Sequence, residues 1–271
     1  MNRRGAADLA VSTAVGTLVA FVLLTLVVAG HHGAPLLTDS RLLSWSVHHR
    51  PPVAVAAARG VTDTGTGIIP YLPAVLAGVI AGRGARQRVI AAAACLACLV
   101  LAQLVRYGVM SLVARDRPPV GDWAARASGW SFPSGHTTTS AVTAGLLIAA
   151  VLLRARHGRR TIAAGIGCWA VLVGLSRVYL GVHWSTDVAG GWLFALCWLS
   201  ICFRVCFFRV CFRIFFRSAV RRCPEVPPTP HDSTAPPPYD STAPPPPGEA
   251  PAPRSPDSAG GRSGAPGGPP G

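Results

Sequence analysis

The sequence predicts an all-α polytopic membrane protein: a bundle of six transmembrane helices followed by a disordered C-terminal tail. Three observations carry that prediction. Half of the 271 residues are hydrophobic, only 13% are charged, and the mean hydropathy is +0.41. The apolar residues gather in runs long enough to span a bilayer, which a soluble domain does not need. Between the runs lie clusters of arginine, giving a formal net charge of +14. A basic chain can be a nucleic-acid binder. Here short arginine clusters alternate with apolar runs, which is how topology is signalled toward anionic lipid. The bilayer is the expected partner, and nucleic acid is not.

The first run is Leu9–Gly30. It follows MNRR and has no convincing small-residue cleavage site after it, so it reads as a retained span rather than a signal peptide. Residues 36–50, with Leu36, Leu37, Leu42, Leu43, Trp45 and Val47, read as an amphipathic segment on the outer leaflet. The pairs His31–His32 and His48–His49 point apart on any regular element and have no clustered acid or cysteine beside them, so they read as interfacial polar residues. Gly67–Gly82 is the second run, and it is shorter than the ~20 residues a span usually needs. Val89–Val113 is the third. It carries Arg106 inside the span and Cys95-x-x-Cys98 among Ala, Leu and Val, where the sulfurs read as small packing residues. Thr137–Leu153, Thr161–Leu180 and Val188–Phe203 complete the six.

Beyond them, Arg204, Arg209, Arg213, Arg217 and Arg221 recur at near-helical spacing, and six of the nine phenylalanines fall in 203–216. Residues 204–222 therefore read as a basic, aromatic juxtamembrane helix. Residues 223–271 hold 17 of the 25 prolines and the repeat DSTAPPPY, DSTAPPPP. That composition predicts a disordered tail with no part in chemistry. The expected organisation is a membrane domain over 1–203, the juxtamembrane helix over 204–222 and the tail over 223–271.

Arginine placement sets the orientation. Arg3 and Arg4, then Arg83, Arg86 and Arg88, then Arg154, Arg156, Arg159 and Arg160, then the cluster after residue 203 fall on one side. By the positive-inside rule that side is cytoplasmic, with both termini. The expected location is the cell membrane. The opposite face receives three polar stretches: MSLVARDRPP at the end of the third run, SFPSGHTTTS opening the fourth, and SRVYLGVHWSTD between the fifth and sixth.

R-P, then P-S-G-H, then S-R-x5-H-x3-D, in that order and on one face, resembles the three-part signature of the type 2 phosphatidic acid phosphatase superfamily. The resemblance covers roughly residues 9–203, and Asp39, Thr62 and Gly65 also look family-like. It implies six membrane helices and hydrolysis of a lipid phosphate or isoprenoid pyrophosphate.

The same residues make chemical sense in their own right. His183 and Asp187 lie four apart, so at a helix start they share a face. Asp187 can hold one ring nitrogen and leave the other free to attack phosphorus, giving a phosphohistidine. Pro133-Ser134-Gly135-His136 reads as a turn into a helix N-terminus, where free N–H groups favour an anion. Ser134 can donate its hydroxyl, Gly135 admits close backbone approach, and His136 can protonate the leaving alkoxide. Arg117 and Arg177 would supply bidentate donors to the phosphoryl oxygens. Asp187 is committed to His183 and few other carboxylates share this face, so the reading is metal-free, with no cofactor.

One position departs from the family. Its first motif has a lysine seven residues before the arginine, and here that position is Met110. Arg106, one turn deeper on the same helical face, and Arg115, nearer the surface, are the two candidates to replace that charge. The departure keeps a rival in view, a catalytically weak relative that binds or moves phospholipids. A vanadate-dependent haloperoxidase shares the phosphate-site motifs, but six apolar spans argue against it.

Overall fold

The computed structural model describes residues 3–155 and 157–220, with side chains described from residue 11 to residue 205. Among them there are helices and no strands. α1 (Arg3–Gly30) is followed by α2 (Leu37–His48), α3 (Pro52–Asp63), α4 (Tyr71–Ala81) and α5 (Ala85–Val113). After a short 3₁₀ turn at Val120–Asp122 come α6 (Gly135–Arg154), α7 (Arg159–Tyr179) and α8 (Ser185–Val220).

Among the described residues, five segments are long and apolar enough to cross a bilayer: Val11–Gly30, Ala85–Val113, Gly135–Arg154, Arg159–Tyr179 and Ser185–Val205. The second apolar run, expected as a span, forms only the 11-residue α4. Gly67 in the left-handed region (φ 64°) and Pro70 at the N-cap delay its start, and Gly82 ends it. At 1.5 Å per residue it is roughly 16 Å long, about half a hydrocarbon core. It still takes a sixth place in the bundle, packed on α5 and α6. Thr143 of α6 donates to the Pro70 carbonyl at its start, and the Arg154 guanidinium donates to the Ala81 carbonyl at its end.

The remaining packing pairs α1 with α8, and α6 with α7 and α8. Phe21 of α1 stacks on Phe132, centroids 6.0 Å apart, and meets Phe194 of α8 edge-on at 5.6 Å. These rings share a buried core with Leu99 and Ala102 of α5 and Val142 and Leu146 of α6. Large apolar side chains of α1 and α5 such as Leu23, Leu26, Leu101 and Leu104 are exposed on the protein surface. In a chain that spans a membrane that surface faces lipid, so their exposure carries no penalty.

α2 and α3 occupy the long connection after α1. The leucine-rich face expected to lead α2 onto the membrane surface points away from the protein, with Leu37, Leu42 and Trp45 exposed, while Asp39 and Ser46 face inward and are buried. α2 packs on α7 and α8, and α3 on α7. α8 runs unbroken to Val220, so the backbone of 204–220 continues the last span. The side chains beyond residue 205 and the whole of 223–271 lie outside the described residues.

Candidate active site

The end of the bundle that receives the C-termini of α1, α5 and α7 and the N-termini of α6 and α8 holds a cavity of about 540 Å³. Each wall has a local reason to be there. α5 stops because Ala114 adopts a left-handed conformation (φ 45°), and the chain then turns through Arg115-Asp116-Arg117 into Pro118 and Pro119. Gly181, also left-handed (φ 71°), turns the chain after α7 and delivers His183. α6 begins at Gly135 directly after the Pro133-Ser134 turn, which presents His136 in its first turn.

Arg106, Arg117, Gly135, His136, Arg177 and His183 all line this cavity. His183 is buried, with Nδ1 3.3 Å from Asp187 Oδ2. Its Nε2 lies 2.9 Å from Arg117 Nη1. A guanidinium can only donate, so Nε2 must be the unprotonated nitrogen and Nδ1 carries the hydrogen toward Asp187. The two contacts fix the tautomer whose lone pair faces the cavity. Burial, and then the charges of Arg117 and Arg177, push His183 well below the ordinary histidine range, so it is neutral at pH 7.

Arg117 stands differently from expectation. Its Nε donates to the Gly129 carbonyl at 2.8 Å, and its Nη2 to Ser128 and Trp130 at 2.8 and 3.1 Å. Its Nη1 donates to the Val182 carbonyl at 2.8 Å, besides meeting His183. The fork expected to be open for a phosphoryl group is spent on backbone carbonyls, because the 128–130 segment folds over it. What Arg117 brings to the cavity is positive charge against Nε2.

Arg177 is buried and donates to Thr62 of α3 at 3.1 Å, while its Nε has no hydrogen-bond partner among the described residues. Ser134 does not line the cavity. Its side chain is fully buried, its hydroxyl accepts from Thr137 at 3.0 Å, and its N–H donates to the Asp187 carbonyl at 3.1 Å. The turn is clamped onto α8, which directs Ser134 into the protein and leaves Gly135 and His136 on the wall.

Of the two candidates for the missing lysine, Arg115 is committed elsewhere, bonded to Asp39 and Asp187 at 2.8 and 2.7 Å. Arg106 reaches the position. Its Nη1 lies 3.4 Å from Met110 Sδ and 3.5 Å from the Pro133 carbonyl, and Gln103 accepts from its Nε at 2.9 Å. A Cβ on Gly135 would come within 3.3 Å of Arg106 Cζ, so the glycine leaves room for the guanidinium. Gln103 was missed by sequence reasoning and lines the cavity with Tyr71 and Tyr107. The available signal was a lone amide three residues before Arg106 in an otherwise apolar span.

Residues 89–211 match the PAP2 superfamily. A decaprenylphosphoryl-5-phosphoribose phosphatase of Mycobacterium tuberculosis (strain CDC 1551 / Oshkosh) is 35% identical over 147 residues, 52% of this chain and 73% of that protein. The chain belongs to the PAP2 superfamily. A phosphatidylglycerophosphatase B of Bacillus subtilis (strain 168) is 44% identical over 73 residues, 26% of this chain. That match spans only 36% of the Bacillus protein. The fold is shared more widely. The crystal structure of a transmembrane PAP2 type phosphatidylglycerolphosphate phosphatase from Bacillus subtilis superposes with a TM-score of 0.61 at 24% identity, over 70% of this chain and 94% of that one. The chain is thus an all-helical, multi-pass membrane member of the PAP2 superfamily, and the three motifs named from sequence are the ones that meet around its cavity.

Proposed function

We propose that this protein is a membrane phosphatase that hydrolyses a lipid phosphate or an isoprenoid pyrophosphate, without a metal ion, at the extracytoplasmic face. The observation that carries the reading is the imidazole of His183: Nδ1 held by Asp187, Nε2 turned to a cavity lined by Arg106, Arg117 and Arg177. A neutral nucleophile surrounded by fixed positive charge suits attack on an anionic phosphorus. The names of the relatives support the same chemistry, both being phosphatases of lipid-linked phosphates.

In the first step His183 Nε2 bonds to phosphorus as the P–O bond to the lipid breaks. His136 gives its proton to the leaving oxygen, and the Nδ1 hydrogen stays on the imidazole facing Asp187. In the second step water attacks phosphorus, the N–P bond breaks and His136 takes a proton from the water. The products are inorganic phosphate and the lipid alcohol from a monoester, or inorganic phosphate and the lipid monophosphate from a pyrophosphate. Arg106, Arg117 and Arg177 stabilise the charge that builds on the equatorial oxygens. Arg117 Nη1 must swing from Nε2 before the attack, and an arriving phosphoryl oxygen is a stronger acceptor to draw it away.

The rival, a weak relative that binds phospholipids without turnover, drew its support from Met110. Arg106 beside Met110 Sδ counts against it. The deciding experiment is phosphate release by the purified protein in detergent, on a panel of lipid phosphates with a chelator present. Turnover with an acid-labile phosphoenzyme that His183→Ala abolishes is the expected result. Binding without release would favour the rival, and activity that disappears with the chelator would sink the metal-free mechanism.

A further inference from the structure

Behind His183, away from the cavity, a buried chain of charges leads from Asp187 to two residues with no part in the proposed reaction, Arg115 and Asp39. Arg115 is one of the largest fully buried side chains in the protein, with both ion-pair partners at zero exposure. Its Nη1 donates to Asp187 Oδ1 at 2.7 Å, the oxygen that does not face His183. Its Nη2 donates to Asp39 Oδ2 at 2.8 Å, and its Nε to the Gly33 carbonyl at 3.1 Å. Asp39, in the first turn of α2, also holds the start of α8: its Oδ1 accepts from the Ser185 hydroxyl at 2.7 Å and the Thr186 N–H at 2.9 Å. A carboxylate from one helix thus caps another helix, two residues before Asp187.

Burying a guanidinium is costly, and here two buried carboxylates pair with it. The position of the second carboxylate is informative. Asp187 has one oxygen on Arg115 and the other on His183, so whatever turns or neutralises Arg115 is felt at the imidazole. We propose that Asp39 and Arg115 are positioning residues for phosphoryl transfer: together they set the orientation of Asp187, and through it the tautomer and basicity of His183. The proposal rests on the phosphatase reading for its kinetic consequences, but not for its effect on His183 itself. Burial alone would raise the Asp39 carboxyl, but the bonds from Ser185, Thr186 and Arg115 outweigh it and hold Asp39 below the usual carboxylate range. It is therefore charged under all working conditions.

The relay makes a prediction of sign. The charged and titratable groups facing His183 are Arg117 from the loop after α5, Arg106 from α5, His136 from α6, Arg177 from α7 and Asp187 from α8. Asp39→Asn keeps the shape and removes one negative charge behind them. The charge of Arg115 then falls wholly on Asp187, and the His183 pKa drops. Arg115→Gln removes the positive charge, leaves Asp187 uncompensated and raises it. A general loosening of the fold would move both variants the same way.

The test is the pH titration of the His183 ring ¹⁵N shifts in histidine-labelled protein in detergent, assigned by the His183→Gln spectrum. Opposite shifts of about half a pH unit or more are expected, with kcat lowered at least ~10-fold at little change in KM, the scale of outer-shell partners. Shifts in the same direction, or a folded Asp39→Asn with the titration and kcat of wild type, overturn the proposal. If Asp39→Asn or Arg115→Gln is not recovered as a monodisperse species, Arg115→Lys decides. It should retain the His183 pKa with a kcat reduced from wild type, and an unchanged kcat overturns the relay. A wild-type protein inactive on every lipid phosphate would sink the phosphatase reading, and the ¹⁵N shifts would still decide the relay.

Discussion

Arg106 is the residue that supplies charge beside the position where the family's lysine is replaced by Met110. It is 4% exposed, comes from inside a membrane-spanning helix and ends 3.4 Å from the sulfur of Met110. Its charge arrives from one helical turn deeper than the family's lysine position. Arg106→Met is therefore expected to lower kcat/KM by roughly two to three decades, the scale for loss of one transition-state donor. Met110→Lys should help little or hurt, because the new ammonium would meet the guanidinium already there. Both variants measured on one substrate check this, and a gain in activity from Met110→Lys would show that Arg106 does not fill the role. His183 gives the pH prediction. Its pKa in the folded protein is depressed, so it stays neutral below the ~6.5 of a free histidine, the form the proposed attack needs. The acid limb of kcat/KM, corrected for ionisation of the substrate, should lie below that value. The same depression costs stability in acid: the unfolded chain takes up a proton near pH ~6.5 that folded His183 refuses, so stability is full above that pH and is lost as pH falls toward the folded pKa. Thermal midpoints of wild type and His183→Gln across the acid range would show it, the variant losing less.

At the scale of elements, the turn before α6 and the start of α8 act as one piece. The Ser134 N–H donates to the Asp187 carbonyl, and Gly190 and Gly191 of α8 form a notch that receives the turn. A Cβ on Gly190 would lie 2.5 Å from Cε2 of Phe132, whose ring is fully buried against Phe21. Phe132 cannot swing aside, so Gly190→Ala should push the whole Pro133–His136 turn off α8. Overpacking of this kind costs about 1–3 kcal/mol, and a shift of ~1 Å between His136 and His183 can cost two decades of rate. The expected outcome is a lowered thermal midpoint with a larger loss of kcat, partly restored in Gly190→Ala/Phe132→Leu. A Gly190→Ala protein with wild-type kcat would show that the notch does not set the turn.

For the whole molecule, the bundle has two unlike ends. One gathers His136, His183 and the buried Asp39–Arg115–Asp187 chain. At the other, where α4 ends, α5 begins, α6 ends and α7 begins, Arg154 bonds the carbonyl of Ala81, close in sequence to Arg83, Arg86 and Arg88. The proposed orientation, read from the positive-inside rule, has the second end in the cytoplasm and the cavity outside. Reporter fusions at residues 85 and 157 are expected to report the cytoplasm and one near residue 122 the exterior. The opposite pattern would move the reaction, and its substrate's head group, to the inner leaflet.

Composition and run length by themselves determined that the chain is a helical membrane protein. In hydrocarbon only helices and closed barrels satisfy the backbone, and continuous apolar runs of about 20 residues are too long for barrel strands and lack their alternation. Motif order and loop charge determined which polar stretches share a face. These are properties of residues near one another in sequence, which is why they are legible there. The shortness of α4 was visible only in part, since Gly67 and Pro70 weaken a span without saying where it ends. Three decisions belonged to the tertiary structure alone. Arg115 was a candidate for the phosphate site until Asp39, 76 residues away, and Asp187, 72 residues away, claimed it. Arg117 was expected to hold its fork open until the carbonyls of 128–130 folded over it. Ser134 was expected on the wall until the notch in α8 drew it inside. In each case the residue's own chemistry allowed either role. A guanidinium or a hydroxyl goes to whichever acceptors packing brings within reach, and in a bundle those acceptors come from helices far apart in the chain.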